Sequence, residues 1–251
     1  MAAKRKTALV VGGSGVLGQA ICLKLASHGM DVAFTYHSNQ AVAANLIARL
    51  EALEAAAVAE RIALTDPAAV TEFIDGIAAR FGALDSFVYA AGPSFDYDLI
   101  AKIEPAEWAR VMQQDLIGGF NAIHAALPRI REARGTIVAV LTAGVSRSPP
   151  RDILSVAPKA GLQALVRGIA VEEGRNGVRA NCVAPGFVGG GLGKMILDKI
   201  GEERARAIIE AIPMKRRGTA DEMATAVHYL SSDQSSYVTG NTLYVSGGLE
   251  L

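Results

Sequence analysis

The sequence predicts an α/β fold: a single doubly wound parallel sheet with helices on both faces. Three observations carry that expectation. Short β-branched runs alternate with longer helical patterns from end to end, a glycine-spaced turn follows the first run, and no linker, repeat or low-complexity tract divides the chain. Alternation at this spacing requires right-handed crossovers between parallel strands buried on both faces. The 251 residues are 51% apolar and 20% charged, enough for a large core, so residues 1–251 are expected to form one domain.

The elements follow in order. "TALVV" (7–11) predicts a buried strand, and "VLGQAICLKLASHG" (16–29) a helix ended by Gly29. "DVAFTY" (31–36) is the second strand, "AVAANLIARLEALEA" (41–55) has helical spacing, and "RIAL" (61–64) reads as a third strand. "PAAVTEFIDGIAARFG" (67–82) opens on proline, which suits a first helical turn, and closes on glycine. Further strands are expected at 86–92, 135–144 and 178–186, with long helices at 105–127 and 157–173 between them. "ADEMATAVHYLSS" (220–232) and "TLYVSGG" (242–248) supply the last helix and strand.

The irregular stretch is 187–218, which leaves a strand end with Gly189, Gly190, Gly191 and Gly193 before turning helical. Ligands of open α/β sheets bind beyond the carboxyl ends of the strands, so this stretch is expected to act as a substrate lid.

Composition narrows the partners. Lys plus Arg equals Asp plus Glu at 25 each, which gives no field for nucleic acid. The basic opening "MAAKRK" precedes an apolar run too short for a secretion signal, and no stretch approaches a membrane span, so a cytoplasmic protein is expected. Cys22 and Cys182 lie in a helix and a strand, without metal-ligand spacing.

The loop "VVGGSGVLGQA" sits where a dinucleotide fingerprint must sit, between first strand and first helix. Gly12, Gly15 and Gly18, with Ser14 between them, allow a tight turn, approach of a pyrophosphate and close helix packing. The helix N-terminus offers its free N–H groups to the phosphates. The second strand ends in "TYHSN" without a carboxylate to repel a 2′-phosphate. His37, Ser38 and Asn39 can donate hydrogen bonds to one, which favours NADP(H) over NAD(H); the same residues also suit an ordinary polar turn.

With "YAAG" at 89–92, "KAGLQALVRGIAVEEGRNGVRANCVAPGF" at 159–187 and "SSYVTGNTLYVSGG" at 235–248, the chain resembles the short-chain dehydrogenase/reductase family over essentially its whole length. The branch it is most similar to is that of the β-ketoacyl-acyl-carrier-protein reductases. The resemblance implies hydride transfer with a nicotinamide cofactor. It places Ala91, Gly92, Pro185, Gly186 and Lys159 at the cofactor, and assigns proton delivery to a Tyr, carbonyl positioning to a Ser and a water relay to an Asn. Here the Lys is Lys159, the Tyr position holds Ser155, the Ser position Thr142 and the Asn position Asp115. Val16, Ala63, Ala90 and Gly190 also depart from the family pattern.

An aliphatic hydroxyl is far less acidic than a phenol and lies nearer the backbone, so Ser155 is no simple replacement for Tyr. Ser155 also reads as the N-cap of its helix, with Pro158 in the first turn. Other donors at the expected cleft are Tyr97, flanked by Asp96 and Asp98, and the loop residues Arg147, Arg151 and Asp152; Tyr89 reads as core. Asp115 and Lys159 are expected to meet, either as a structural pair or as an acid–base pair. Three functions stay open. The first is an NADP(H)-dependent oxidoreductase acting on a keto or hydroxy group of a small molecule or of a 3-oxoacyl chain on carrier protein, which the basic run Arg129, Arg131 and Arg134 could meet. The second is a catalytically silent subunit pairing with an active relative. The third is a dehydratase or isomerase using Asp115 and Lys159. The resemblance also implies a homo-dimer or homo-tetramer assembled through the two long helices.

Overall fold

The computed structural model describes residues 5–190 and 201–251. Seven parallel strands form one sheet in the order β3-β2-β1-β4-β5-β6-β7. They are β1 (Lys6–Val11), β2 (Met30–Tyr36), β3 (Ala57–Arg61), β4 (Ser86–Tyr89), β5 (Thr136–Val140), β6 (Arg179–Pro185) and β7 (Thr242–Val245). The helices between them are α1 (Val16–Ser27), α2 (Gln40–Glu51), α3 (Pro67–Phe81), α4 (Pro105–Val111), α5 (Gly118–Ala133), α6 (Ile153–Glu173), α7 (Glu202–Ala211) and α8 (Ala220–Ser231).

Strand alternation divides the core between the two faces. Leu9 and Val11, Phe87 and Tyr89, Ile137 and Ala139 point toward α3, α5 and α6. Ala8 and Val10, Val88, Val138 and Val140 point toward α1, α2 and α8. The caps are local. Asn39 Oδ1 accepts from Val42 N at 3.1 Å, and Asp66 Oδ1 accepts from Ala68 N and Ala69 N. Thr219 and Glu222 form a reciprocal capping box at α8. Among the described residues no helix is long and apolar enough to cross a membrane.

Four expectations are corrected. The third strand is Ala57–Arg61 rather than 61–64. Its alanine-rich sequence hides it because its pairing with β2 alone makes it a strand. The helix expected at 105–127 is interrupted by a π-helical turn over Met112–Ile117, so α4 and α5 are separate. Helix α6 starts at Ile153, with Asp152 and not Ser155 at its N-cap. Pro158 therefore lies beyond the first turn, buried, where it gives no N–H to the preceding turn. Of the lid expected over 187–218, Gly191 and Gly193 lie outside the described residues.

Two glycines of the helical layer give opposite expectations. A Cβ at Gly76, on the exposed side of α3, would meet nothing within 4 Å, whereas one at Gly18 would run into the Gly12 carbonyl and the Gly13 backbone. Gly76→Ala should stabilise the protein by about 0.5–1 kcal/mol. Gly18→Ala should destabilise it, both changes being read from urea denaturation midpoints.

Candidate active site

β1 is flanked by β2 on one side and β4 on the other, so the chain reverses direction across the sheet at the β1/β4 boundary. A crevice must open beyond the carboxyl ends of those strands. A cavity of about 890 Å³ lies there, walled by the turns after β1, β4, β5 and β6.

The β1 turn is built for close approach. Gly12 has φ +84, and a Cβ on it would fall 2.8 Å from Ala91 Cα, so the turns after β1 and β4 touch backbone to backbone. Gly15 is the N-cap of α1; no side chain caps the helix and no carboxylate lies in its first turn. Gly15, Val16, Leu17 and Gly18 all line the cavity, so the positive end of α1 faces open space. That arrangement fits a pyrophosphate. Pro185 and Gly186 close the opposite wall, where a Cβ on Gly186 would fall 2.8 Å from Ser246 Cα. A Cβ at Gly190 would lie 3.0 Å from Val16 Cγ1, so the Gly190 backbone abuts the Val16 side chain.

The floor of the cavity is polar and closed. Lys159 Nζ donates to the Ala91 carbonyl at 2.8 Å and to Asp115 Oδ1 at 3.0 Å. Both residues of this ion pair are buried. The Tyr89 hydroxyl lies 2.9 Å from the Asp115 carbonyl and 3.0 Å from Asp115 Oδ1, toward which it donates. The ammonium also sits 5.1 Å above the Tyr89 ring. Burial, and then the Asp115 carboxylate, push the Tyr89 phenol well above its ordinary range, so it stays a donor. Gly92 covers the pair: a Cβ there would fall 3.7 Å from Lys159 Nζ and 3.9 Å from Asp115 Oδ2.

The expected meeting of Asp115 and Lys159 is therefore present, and Tyr89, read from sequence as core, is core but also holds Asp115. Its hydroxyl was missed because alternation assigns a face, not a partner. The π-helical turn carries Asp115 inward, and Gly119 beside it leaves room for the Tyr89 ring, which a Cβ would approach to 3.2 Å.

Above the floor, Thr142 Oγ1 accepts from Gly144 N at 3.2 Å, leaving its own proton to donate into the cavity. Ser155 lines the same wall one helical turn before Lys159. Tyr97 is half-buried at the mouth, its ring 5.2 Å from that of Phe95. Burial and the Asp152 carboxyl push its phenol above the ordinary range. Asp152 is half-buried, and desolvation raises it to about 7.

Other expected residues lie apart. Ser14 is outside the cavity wall, and its carbonyl accepts from Gln19 Nε2 at 3.0 Å. His37, Ser38 and Asn39 are exposed beyond β2, where Asn39 caps α2. Arg147 does line the cavity, with its Nη1 donating to the Leu251 main-chain oxygen at 3.0 Å. Arg129 pairs with Asp75 and Glu132, and Arg131 forks onto Glu173, so these two cations of the basic run are already neutralised within the chain. Cys22 and Cys182 are buried, with their thiols pushed up, and no metal-ligating cluster occurs among the described residues.

The chain is similar to known proteins over nearly its whole length. The family model described as enoyl-(acyl carrier protein) reductase matches residues 13–250. The 3-oxoacyl-acyl-carrier-protein reductase of Staphylococcus epidermidis is 32% identical over 247 residues, covering 97% of this chain and 98% of that protein. Among solved structures, levodione reductase superposes with a TM-score of 0.93 at 27% identity, covering 98% of this chain and 97% of that one. A blue fluorescent protein from a metagenomic library, in complex with NADPH, gives 0.88 at 30% identity, covering 97% of each chain.

The floor makes a prediction. Asp115→Ala leaves a buried ammonium without its carboxylate and should cost about 3–5 kcal/mol in urea denaturation. The double change Asp115→Leu/Lys159→Met should cost less than the sum of the single changes, a coupling that a double-mutant cycle measures.

Proposed function

The chain belongs to the short-chain dehydrogenase/reductase family, and we propose that it is an oxidoreductase using NADP(H) on a keto or hydroxy group. One observation carries the reading: the free N-terminus of α1, the Thr142 hydroxyl and Lys159 all face one cavity at the switch point of the sheet. Bound nicotinamide supplies or accepts the hydride. The chain's own residues do the rest. The α1 amides hold the pyrophosphate, Thr142 orients the carbonyl by donating to its oxygen, and Lys159 fixes the floor against the Ala91 backbone.

The cavity wall is mainly apolar, with Leu141, Phe187, Ile208 and Leu249 contributing. This favours an acyl chain, and a 3-oxoacyl thioester is the substrate class we assign. The name of the staphylococcal relative supports the same class. The exposed apolar residues Trp108, Ile117 and Phe120 on and between α4 and α5, with Val171 on α6, support assembly as a homo-dimer or homo-tetramer. A second reading, a catalytically silent subunit, rests on Ser155 at the family's Tyr position.

Arg61 supports a preference for NADP(H) over NAD(H). The parallel register sets Arg61 beside Tyr36, at the strand ends next to His37. Tyr36 and Ala59 both pack toward the α1/α2 face, so alternation sends Arg61 to that face as well. It is exposed and engaged in no ion pair among the described residues. A guanidinium there suits a 2′-phosphate.

Titration of the purified protein with NADPH and NADH, followed by nicotinamide fluorescence, tests this reading. NADPH should bind with a Kd on the order of micromolar and more tightly than NADH. Arg61→Ala should weaken NADPH by about tenfold, the worth of one charge-assisted contact, and leave NADH unchanged. Folded protein that binds neither nucleotide would overturn the function.

A further inference from the structure

Short-chain oxidoreductase chemistry needs a proton at the carbonyl oxygen, and the residues nearest the family's arrangement cannot supply it. Ser155 is an aliphatic hydroxyl. Lys159 is committed to Ala91 and Asp115. Tyr97 holds its proton more tightly than an ordinary phenol because it is buried beside a carboxyl group.

That carboxyl group is Asp152. Positions 152, 155 and 159 are spaced i, i+3 and i+7, so they share one face of α6, and all three line the cavity. Asp152 is the N-cap residue, yet its side chain does not cap the helix. Its Oδ1 is shut off from solvent and has no hydrogen-bond partner among the described residues. A buried carboxylate oxygen left without a donor is costly, and the neutral acid removes that cost. The other charged and titratable groups around the cavity come from each wall: Tyr97 after β4, Arg147 and Arg151 after β5, Asp115 and Lys159 at the floor. None of them donates to Asp152 Oδ1.

Building on the oxidoreductase reading, we propose that Asp152 is the acid–base residue of this cleft, standing one turn ahead of the lost Tyr. In the reducing direction the carbonyl carbon accepts a hydride from reduced nicotinamide. The π pair of the C=O bond moves onto oxygen and takes the Asp152 carboxyl proton, giving the alcohol, oxidised nicotinamide and the Asp152 carboxylate. Water from the cavity mouth restores the proton. In the oxidising direction the carboxylate accepts the alcohol proton as hydride leaves the carbon. Burial places Asp152 at about 7, close to where a group can serve in both directions.

The test has two arms. Carbon-13 labelling at the Asp side-chain carboxyls, with NMR titration of the protein without cofactor, should show one carboxyl titrating near 7 that is absent from D152N. In the second arm D152N, an isosteric change, should bind NADPH within about twofold of wild type. Its kcat for acetoacetyl-CoA reduction should fall by about 100-fold or more, the usual contribution of a general acid, and D152E should recover part of it. No carboxyl titrating near 7 would overturn the assignment, as would a folded D152N with wild-type kcat. Those results leave the oxidoreductase reading standing, because wild type still binds NADPH and turns over. Wild type that neither binds NADPH nor reduces the thioester would instead overturn the oxidoreductase reading, and the role of Asp152 with it.

Discussion

The buried contact between Lys159 and Asp115 is the constraint on which the rest of the cleft depends. Two opposite charges at 3.0 Å in a site nearly closed to water are tolerable only because other groups share them. The Ala91 carbonyl takes one ammonium hydrogen, and the Tyr89 hydroxyl supports the carboxylate. Through these bonds the turn after β4, the π-helical turn and α6 are tied to one point beneath Gly92. With both groups so engaged, the ammonium and the carboxylate neutralise each other inside the cleft.

Packing at the turn after β1 is equally tight: the Gly190 backbone abuts the Val16 side chain, where a Cβ would come to 3.0 Å of Val16 Cγ1. The N-terminus of α1 beside them stays open to the cavity.

Much of this was legible in the sequence because it depends on local periodicity. The inner strands β1 and β5 announce themselves by short apolar runs rich in Val, Ile and Thr, and α3 by Asp66, Pro67 and Gly82 at its two ends. The edge strand β3 was misplaced because alanines carry no strand preference and only its neighbour β2 orders it. The break between α4 and α5 was not readable, since Met112–Ile117 has ordinary helical composition and its inward bulge is set by tertiary contacts. Within the site, the identities of Lys159, Asp115 and Thr142 followed from alignment with family positions. The hydroxyl of Tyr89, the register that brings Arg61 beside Tyr36 and the absence of a partner for Asp152 Oδ1 are facts of three-dimensional packing. No spacing along the chain encodes them.

Whether this cleft transfers hydride is the central question, and isotope tracing answers it most directly. NADPH deuterated at C4, prepared separately with each stereochemistry, would be incubated with the protein and acetoacetyl-CoA, and the product examined by mass spectrometry. Deuterium should appear on the carbinol carbon of the 3-hydroxyacyl product from one of the two C4 epimers and not the other. A folded protein that binds NADPH yet delivers deuterium from neither epimer would contradict hydride transfer by this cleft.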